Sequence, residues 1–390
     1  MNINTTFSLR KSKKTAGQVV VFFFFIAVLM LNVFPFLDGQ QELLDFGSFY
    51  ASGLQIQNGE NPYSPDSKFV LEINYPRVGA GGKMVNLNPP ISAIIFGVIS
   101  QFDPDQSLRI WQVASAVLFT GLMFFLTAVY RKNTTTTKFI WAFTIAGFWQ
   151  TLILGQIYIF LLLFIVLGWV FIQRKRYILG GIAIGLVVAL KPNFIIWPIF
   201  LLVSGYSVTF LASALISLLI SLIPLLSYGI KIYQQWLEAS SLRREALILP
   251  GNSSIVGLTA RLNDLTVGIV IDVILVCALL YLSKQRKSTK MGHSEYVSAL
   301  GIIAAILASP ISWAGYTIFL LPILFSMKKW NYLVIISAAI LSFPFIILLT
   351  LWQTSFPNFV IFGWFYGWGI LSLLAGVVKN TIMTSNIQTN

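Results

Sequence analysis

DGQQELLDFGSFYASGLQIQNGENPYSPDSKFVLEINYPRVGAGGKMVNLNPP, residues 38–90, is the longest polar passage in a strongly apolar chain. It holds six of the thirteen acidic residues: Asp38, Glu42, Asp45, Glu60, Asp66 and Glu72. What flanks it decides the fold class. The chain is 57% apolar and only 10% charged, where soluble domains run at about 25% charged, and its mean hydropathy is +0.81. Apolar runs of about twenty residues, the length that carries a helix across the hydrocarbon core, recur from end to end and leave no room for a separate soluble domain. The expectation is an all-α polytopic membrane protein. It reads as a single domain over residues 1–390, with 38–88 as a large first extracytoplasmic loop and 231–264 as a second.

The formal net charge of +13 does not point to nucleic acid, because the basic residues stand in short clusters between apolar runs, where the positive-inside rule places them. With cytoplasmic clusters at 10–14, 131–138, 174–176, 284–290, 328–329 and from Lys379 onward, both large polar loops and nine of the thirteen carboxylates fall outside. Helices are predicted near 17–37, 107–130, 138–154, 157–173, 178–191, 193–205, 207–229, 265–283, 295–309, 314–327, 331–351 and 358–378, about twelve transmembrane helices. Residues 89–102 are apolar but short, and are expected to be re-entrant or interfacial, since a full crossing would invert the sign of every later loop. The first apolar stretch follows Arg10, Lys11, Lys13 and Lys14 and ends at Pro35 with no small-residue cleavage pattern, so it reads as a retained anchor. Cys277 stands alone in an apolar run and His293 is the only histidine. That excludes a disulfide framework and cysteine- or histidine-rich metal sites, and argues against a histidine-centred mechanism. No metal and no cofactor are expected. The lack of eukaryotic sorting signals and the short polar tail suggest a bacterial cytoplasmic membrane, with membrane lipids and no nucleic acid among its partners.

Asp38, Glu42 and Asp45 are spaced four and three residues apart, one face of a helix that continues into the interface, a pattern that a solvated helix end also shows. Asp45 differs from the others. It opens DFGSFYASG, where Phe46, Phe49 and Tyr50 alternate with small residues and no further charge. A partly desolvated carboxylate has a raised pKa and is a better base, so Asp45 is the first candidate for catalysis, with Asp38 and Glu42 as alternatives. Lys191 ends the run GGIAIGLVVAL and precedes a proline. A lysine at membrane depth is costly and so a functional candidate, although snorkelling to the headgroups explains it equally well. Arg243, Arg244 and Arg261 place cations outside, against the positive-inside bias. Guanidinium groups bind phosphate through paired hydrogen bonds, which joins them to Lys191 as candidate phosphate ligands; pairing with Glu245 or with ordinary anionic phospholipid is the plain alternative. Tyr63 and Tyr75 are candidates to stack on a sugar or to sit at headgroup level. Gly155-Gln156 and SPISW at 309–313 are compact polar turns on the same face.

Five pieces in order carry a resemblance: Asp45 with Tyr50-Ala51-Ser52-Gly53 leading to Gly59-Glu60-Asn61-Pro62-Tyr63; Asn88-Pro89-Pro90 opening a short apolar run; Gly155-Gln156; GGIAIGLVVALKP with Lys191; and SPISW. No single piece is specific, but the ordered set resembles glycosyltransferase family 87, the polyprenyl-phosphate-mannose-dependent mannosyltransferase-like membrane enzymes of the GT-C superfamily. The resemblance implies a GT-C-type fold. It also implies transfer of a hexose, mannose foremost, from a polyprenyl-phosphate-linked sugar to an extracytoplasmic lipid or glycan acceptor, usually with inversion, with an acidic residue of the first outer loop as base. Asp45 stands at that place, and Tyr50, Tyr63, Gln156, Trp313 and Tyr316 become candidate sugar- or acceptor-binding residues. One departure is clear. Relatives carry a histidine after the SPxSW turn, where this chain has Ala314-Gly315-Tyr316, so Tyr316 offers a hydrogen bond at most. Two rival readings differ in where charge should lie. A lipid-linked sugar transporter or flippase would place it near the bilayer midplane, where only Asp272 stands, while a membrane oligosaccharide polymerase shares the composition and the outer loops.

Overall fold

The computed structural model describes residues 19–31 except 21 and 25, and 43–75, 80–241, 244–285 and 291–385. Helices make up 74% of it, and the one sheet among the described residues is an antiparallel hairpin in which Glu72–Tyr75 pairs with Ala80–Lys83. The helix His293–Leu307 forms the centre, buried at every residue from Glu295 onward. Tyr158–Gln173, Ile196–Val203, Leu265–Gln285 and Phe365–Ser385 pack around it. In a bilayer apolar side chains gain little by leaving lipid for protein, so close packing of small residues sets helix pairing. One pair obeys this rule: a Cβ on Gly181 or Gly185 of Tyr177–Leu190 would run into Thr209, Ala212 and Ser213 of Ser207–Tyr228, while Gly180 of the same helix faces Gly168 and Ile172 of Tyr158–Gln173.

Among the described residues, three helices are long and apolar enough to cross a membrane: Pro104–Val129, Ser207–Tyr228 and Leu265–Gln285. A fourth joins them if Tyr332–Leu341 and Phe345–Leu351, bent by 79° at their junction, count as one span. The sequence led to about twelve; the difference lies in breaks. The expected helix 138–154 divides into Thr136–Ala142 and Ala146–Leu154, and 314–327 begins as a 3-10 stretch, Ala314–Leu320, before Leu321–Ser326. Tyr177–Leu190 stops at Lys191 because Pro192 disfavours the α conformation in the residue before it, and Lys191 turns to φ −143° and ψ 86°. Pro90–Ile99 has ten residues, so it rises only about 15 Å, half the hydrocarbon thickness.

The described part of the long polar passage is folded rather than extended. Its helix Leu44–Gln57 lies on Pro90–Ile99 through an aromatic cluster, with ring centroids 5.9 Å apart for Phe46 and Phe96, 5.1 Å for Phe49 and Phe96, and 5.1 Å for Phe96 and Trp111. Gly53 permits the approach, since a Cβ there would sit 2.4 Å from the Phe96 carbonyl oxygen. The hairpin is continued by a bond from the Met84 amide to the Leu71 carbonyl at 2.8 Å.

Gly155 ends Ala146–Leu154 in the left-handed region at φ 66°, where only glycine is free of steric penalty. A Cβ at this position would meet the Phe46 Cβ at 2.6 Å and the Leu108 side chain at 3.0 Å. Gly155→Ala is therefore expected to destabilise the protein by about 2 kcal/mol, read as a lower melting temperature in detergent. Gly121→Ala, within Pro104–Val129 and with no atom within 4 Å of its added Cβ, is the control expected to leave melting unchanged or slightly raised.

Candidate active site

Asp45 stands in the first turn of Leu44–Gln57, and the chain enters that turn through Leu44 at φ 46°, a conformation costly for a residue with a side chain. The carboxylate is half-buried. Gln156, delivered by the Gly155 turn, donates from Nε2 to Asp45 Oδ2 at 2.5 Å, and the Ser48 hydroxyl donates to the Asp45 carbonyl at 2.7 Å. Burial raises the Asp45 carboxyl from 3.8 to about 6, against the opposing pull of the Gln156 hydrogen bond and of the Lys191 charge. The ammonium is held by aromatic faces: Lys191 Nζ lies 5.1 Å from the Tyr158 ring centroid and 5.6 Å from that of Tyr316. Those rings meet edge-on at 4.9 Å. A cation on desolvated π faces gains about 1–2 kcal/mol, part of what removal from water costs it.

Two cavities share the wall in which Asp45 sits. The larger, 410 Å³, is almost wholly apolar, lined among others by Leu44, Leu71, Ile73, Ile153, Leu249 and Phe345. The smaller, 40 Å³, is mixed and the more polar of the two, with Ser48, Asn88 and Lys191 in its lining. Asp45, Met84, Gln156, Tyr158 and Trp313 line both. Gln156 Oε1 and Thr151 Oγ1 are buried without a hydrogen-bond partner, although native proteins pair nearly all such atoms. Orphan acceptors in a cavity wall are where the donors of a ligand belong.

Asp45, Gln156, Lys191, Trp313 and Tyr316, proposed from the sequence on separate segments, are thus brought together. Others take different places. Tyr50 donates to the Phe102 carbonyl at 2.7 Å and Tyr63 to that of Asn88 at 3.0 Å, and neither lines these two cavities. Arg261 is 2% exposed and donates to the carbonyls of Leu249 at 2.6 Å, Gly257 at 2.9 Å and Asn252 at 3.4 Å. It folds the 249–254 loop, which in turn holds the SPISW turn: the Ser312 amide donates to Asn252 Oδ1 at 2.9 Å and the Ser253 amide to the Ser312 carbonyl at 2.7 Å. Asp38, Glu42, Arg243 and the Arg244 side chain lie outside the described residues. Sequence reasoning missed Tyr158, two residues past Gln156 at the head of an apolar helix, and read Asn88 only as the opening of a short apolar run.

A base next to a cation, at the border of an apolar and a polar chamber, can take a proton from a hydroxyl while an anion is held close by. The raised carboxyl also has a cost. The folded state binds the Asp45 proton more tightly than the unfolded chain does, so stability is lost as pH rises from 3.8 toward 6, by about 2–3 kcal/mol at neutral pH. Asp45→Asn is therefore expected to raise the melting temperature at pH 7.5, with the gain shrinking toward pH 4. A carboxylate in an ordinary solvated place would show no such gain.

No curated protein and no solved structure matches the chain. The family model of glycosyltransferase family 87 matches residues 86–310, which takes in Asn88, Gln156 and Lys191 and begins past Asp45. A match over more than half of the chain places this protein in glycosyltransferase family 87, as a membrane glycosyltransferase.

Proposed function

We propose that this protein moves a hexose, mannose foremost, from a polyprenyl-phosphate donor to a lipid or glycan acceptor on the outer face of a bacterial cytoplasmic membrane. The whole chain acts as one integral membrane domain with a GT-C-type fold, its short and broken helices completing about twelve crossings of the bilayer. The observation that carries the reading is the position of Asp45, in one wall with an apolar cavity on one side and the Lys191 pocket on the other. A lipid chain with a sugar phosphate at its head has the matching polarity.

The acceptor oxygen attacks the anomeric carbon as Asp45 takes the hydroxyl proton. The bond from that carbon to the phosphate oxygen breaks, and the electron pair leaves with the lipid phosphate. Lys191 neutralises the departing charge, with Arg243 and Arg244 adding cations from the second outer loop, while Arg261 acts through the loop it holds. A single displacement inverts the anomeric centre. Gln156 orients the carboxylate, Trp313 offers a face for the sugar ring, and Tyr158 and Tyr316 seat the ammonium. Transport of lipid-linked sugars is disfavoured because Asp272, the carboxylate buried within Leu265–Gln285, lines neither cavity.

The test is turnover of a panel of polyprenyl-phosphate sugars by the purified protein in nanodiscs, followed by mass spectrometry. Wild type is expected to consume one donor, and Asp45→Asn to lose a hundredfold or more, about the scale of general-base assistance. If no donor turns over even with a lysate of acceptors present, the reading fails; if Asp45→Asn turns over normally, the base is another residue.

The pH profile supplies a second check. Only ionised Asp45 accepts a proton, so kcat/KM should rise about tenfold per pH unit up to about 6 and then level. Lys191→Met removes a charge that holds the carboxyl down, so it should both lower the rate and move this limb to higher pH.

A further inference from the structure

Asn88 is 2% exposed and Asn86 1%, and their contacts determine which way each amide points. The Asn88 backbone amide reaches the Asn86 side chain at 2.9 Å, and because a backbone N–H only donates, the atom it meets is Oδ1. The Asn88 side chain meets that same oxygen at 3.0 Å, so the atom it presents there is Nδ2. Asn86 closes the set by donating from Nδ2 to Ser92 Oγ at 3.1 Å. Asn88 Oδ1 is left over and has no partner. The residue is fixed from further sides as well: Tyr63 donates to its carbonyl, Trp236 donates to the carbonyl of Leu87 at 3.1 Å, and Pro89 follows it.

Asn88 lines the 40 Å³ pocket. Gln156 spends its Nε2 on Asp45 and also leaves an oxygen unpaired. Two residues with orphan amide oxygens and the carboxylate-bearing Asp45 thus line the pocket, with Lys191 the one cation among the described residues of its lining. Acceptors in that excess call for a ligand rich in hydroxyl donors; a bare anion would leave both amide oxygens unpaired. Size narrows the choice further. A water needs about 10–15 Å³ of such space, so this pocket takes two or three heavy atoms and not a sugar ring.

We infer that the pocket receives one hydroxyl-bearing arm of the transferred sugar, either a ring hydroxyl or a hydroxymethyl group, and that Asn88 Oδ1 reads it. The inference rests on the transferase reading above and makes Asn88 a specificity-determining residue. The ring itself lies across the Asp45 wall, its anomeric carbon toward the carboxylate and the lipid in the apolar cavity.

The test uses the polyprenyl-phosphate hexose that wild type turns over and its 2-, 3-, 4- and 6-deoxy analogues, each as donor. Wild type is expected to lose about ten- to hundredfold in kcat/KM at one position, as sites built to bond a hydroxyl do when it is missing. Asn88→Leu is expected to lose a similar factor with the parent donor yet to match wild type with that one deoxy donor, so that the two losses do not add. Its turnover of the deoxy donor doubles as proof of folding, and Asn88→Asp, which keeps an oxygen in place, should retain the discrimination. A wild-type series in which no position changes the rate more than threefold overturns the inference without recourse to any variant. So does an Asn88→Leu loss equal for all donors. Failure of wild type to turn over any donor would instead overturn the transferase reading, and this inference with it.

Discussion

An ionised carboxylate in a largely apolar wall needs something to hold its charge, and at Asp45 that something is one amide and one ammonium. Both come from places where a helix is interrupted. Gln156 reaches the carboxylate because Gly155 turns the chain in a conformation other residues avoid, and Lys191 is brought close enough to act on it through space because Pro192 ends a helix part-way. Backbone freed from helical hydrogen bonding is tolerated at membrane depth where it is buried in protein or lines a cavity. The interruptions that shorten the helices are thus the same features that assemble the site.

Bracing of that site is divided between two kinds of contact. On one side the aromatic cluster of Phe46, Phe49, Phe96 and Trp111 locks the helix that bears Asp45 onto Pro90–Ile99. On the other, Arg261 and Asn252 tie the 249–254 loop to the SPISW turn and so set Trp313 against the cavities. A buried guanidinium whose terminal nitrogens meet carbonyl groups alone, with its Nε unpaired, is held by geometry more than by charge, because each carbonyl is a dipole that must point at it.

Much of this was legible in the sequence, for a physical reason. In an apolar chain each polar residue is costly, so Asp45, Gln156, Lys191, Trp313 and Tyr316 stood out against their background, and the five motifs in order gave the family. The partners that neutralise such a residue are less visible. Arg261 looked like a phosphate ligand because its type and side of the membrane allowed it; its carbonyl partners exist only once the 249–254 loop has folded. Tyr158 was hidden by the apolar run around it, and Asn88 by its place at the mouth of another. The helix and hairpin inside the first outer loop escaped notice because their burial is tertiary, with Phe46 and Tyr50 facing residues far along the chain. The shortening of the spans escaped for the opposite reason, since apolar composition records what faces lipid and says little about where a helix breaks.

The break at Lys191 bears on the lipid as well as on the ligand. Tyr177–Leu190 has fourteen residues, which rise about 21 Å against a hydrocarbon core of about 30 Å. In the topology proposed above, with the basic turn at 174–176 on the cytoplasmic side, the ammonium would lie below headgroup level. For it to meet water or a phosphate, the leaflet beside it must thin or dip, at a cost that grows with the mismatch. Bilayer thickness thereby becomes a parameter of this protein, and acyl-chain length in the host membrane a setting for how easily a lipid headgroup sinks to the level of the site.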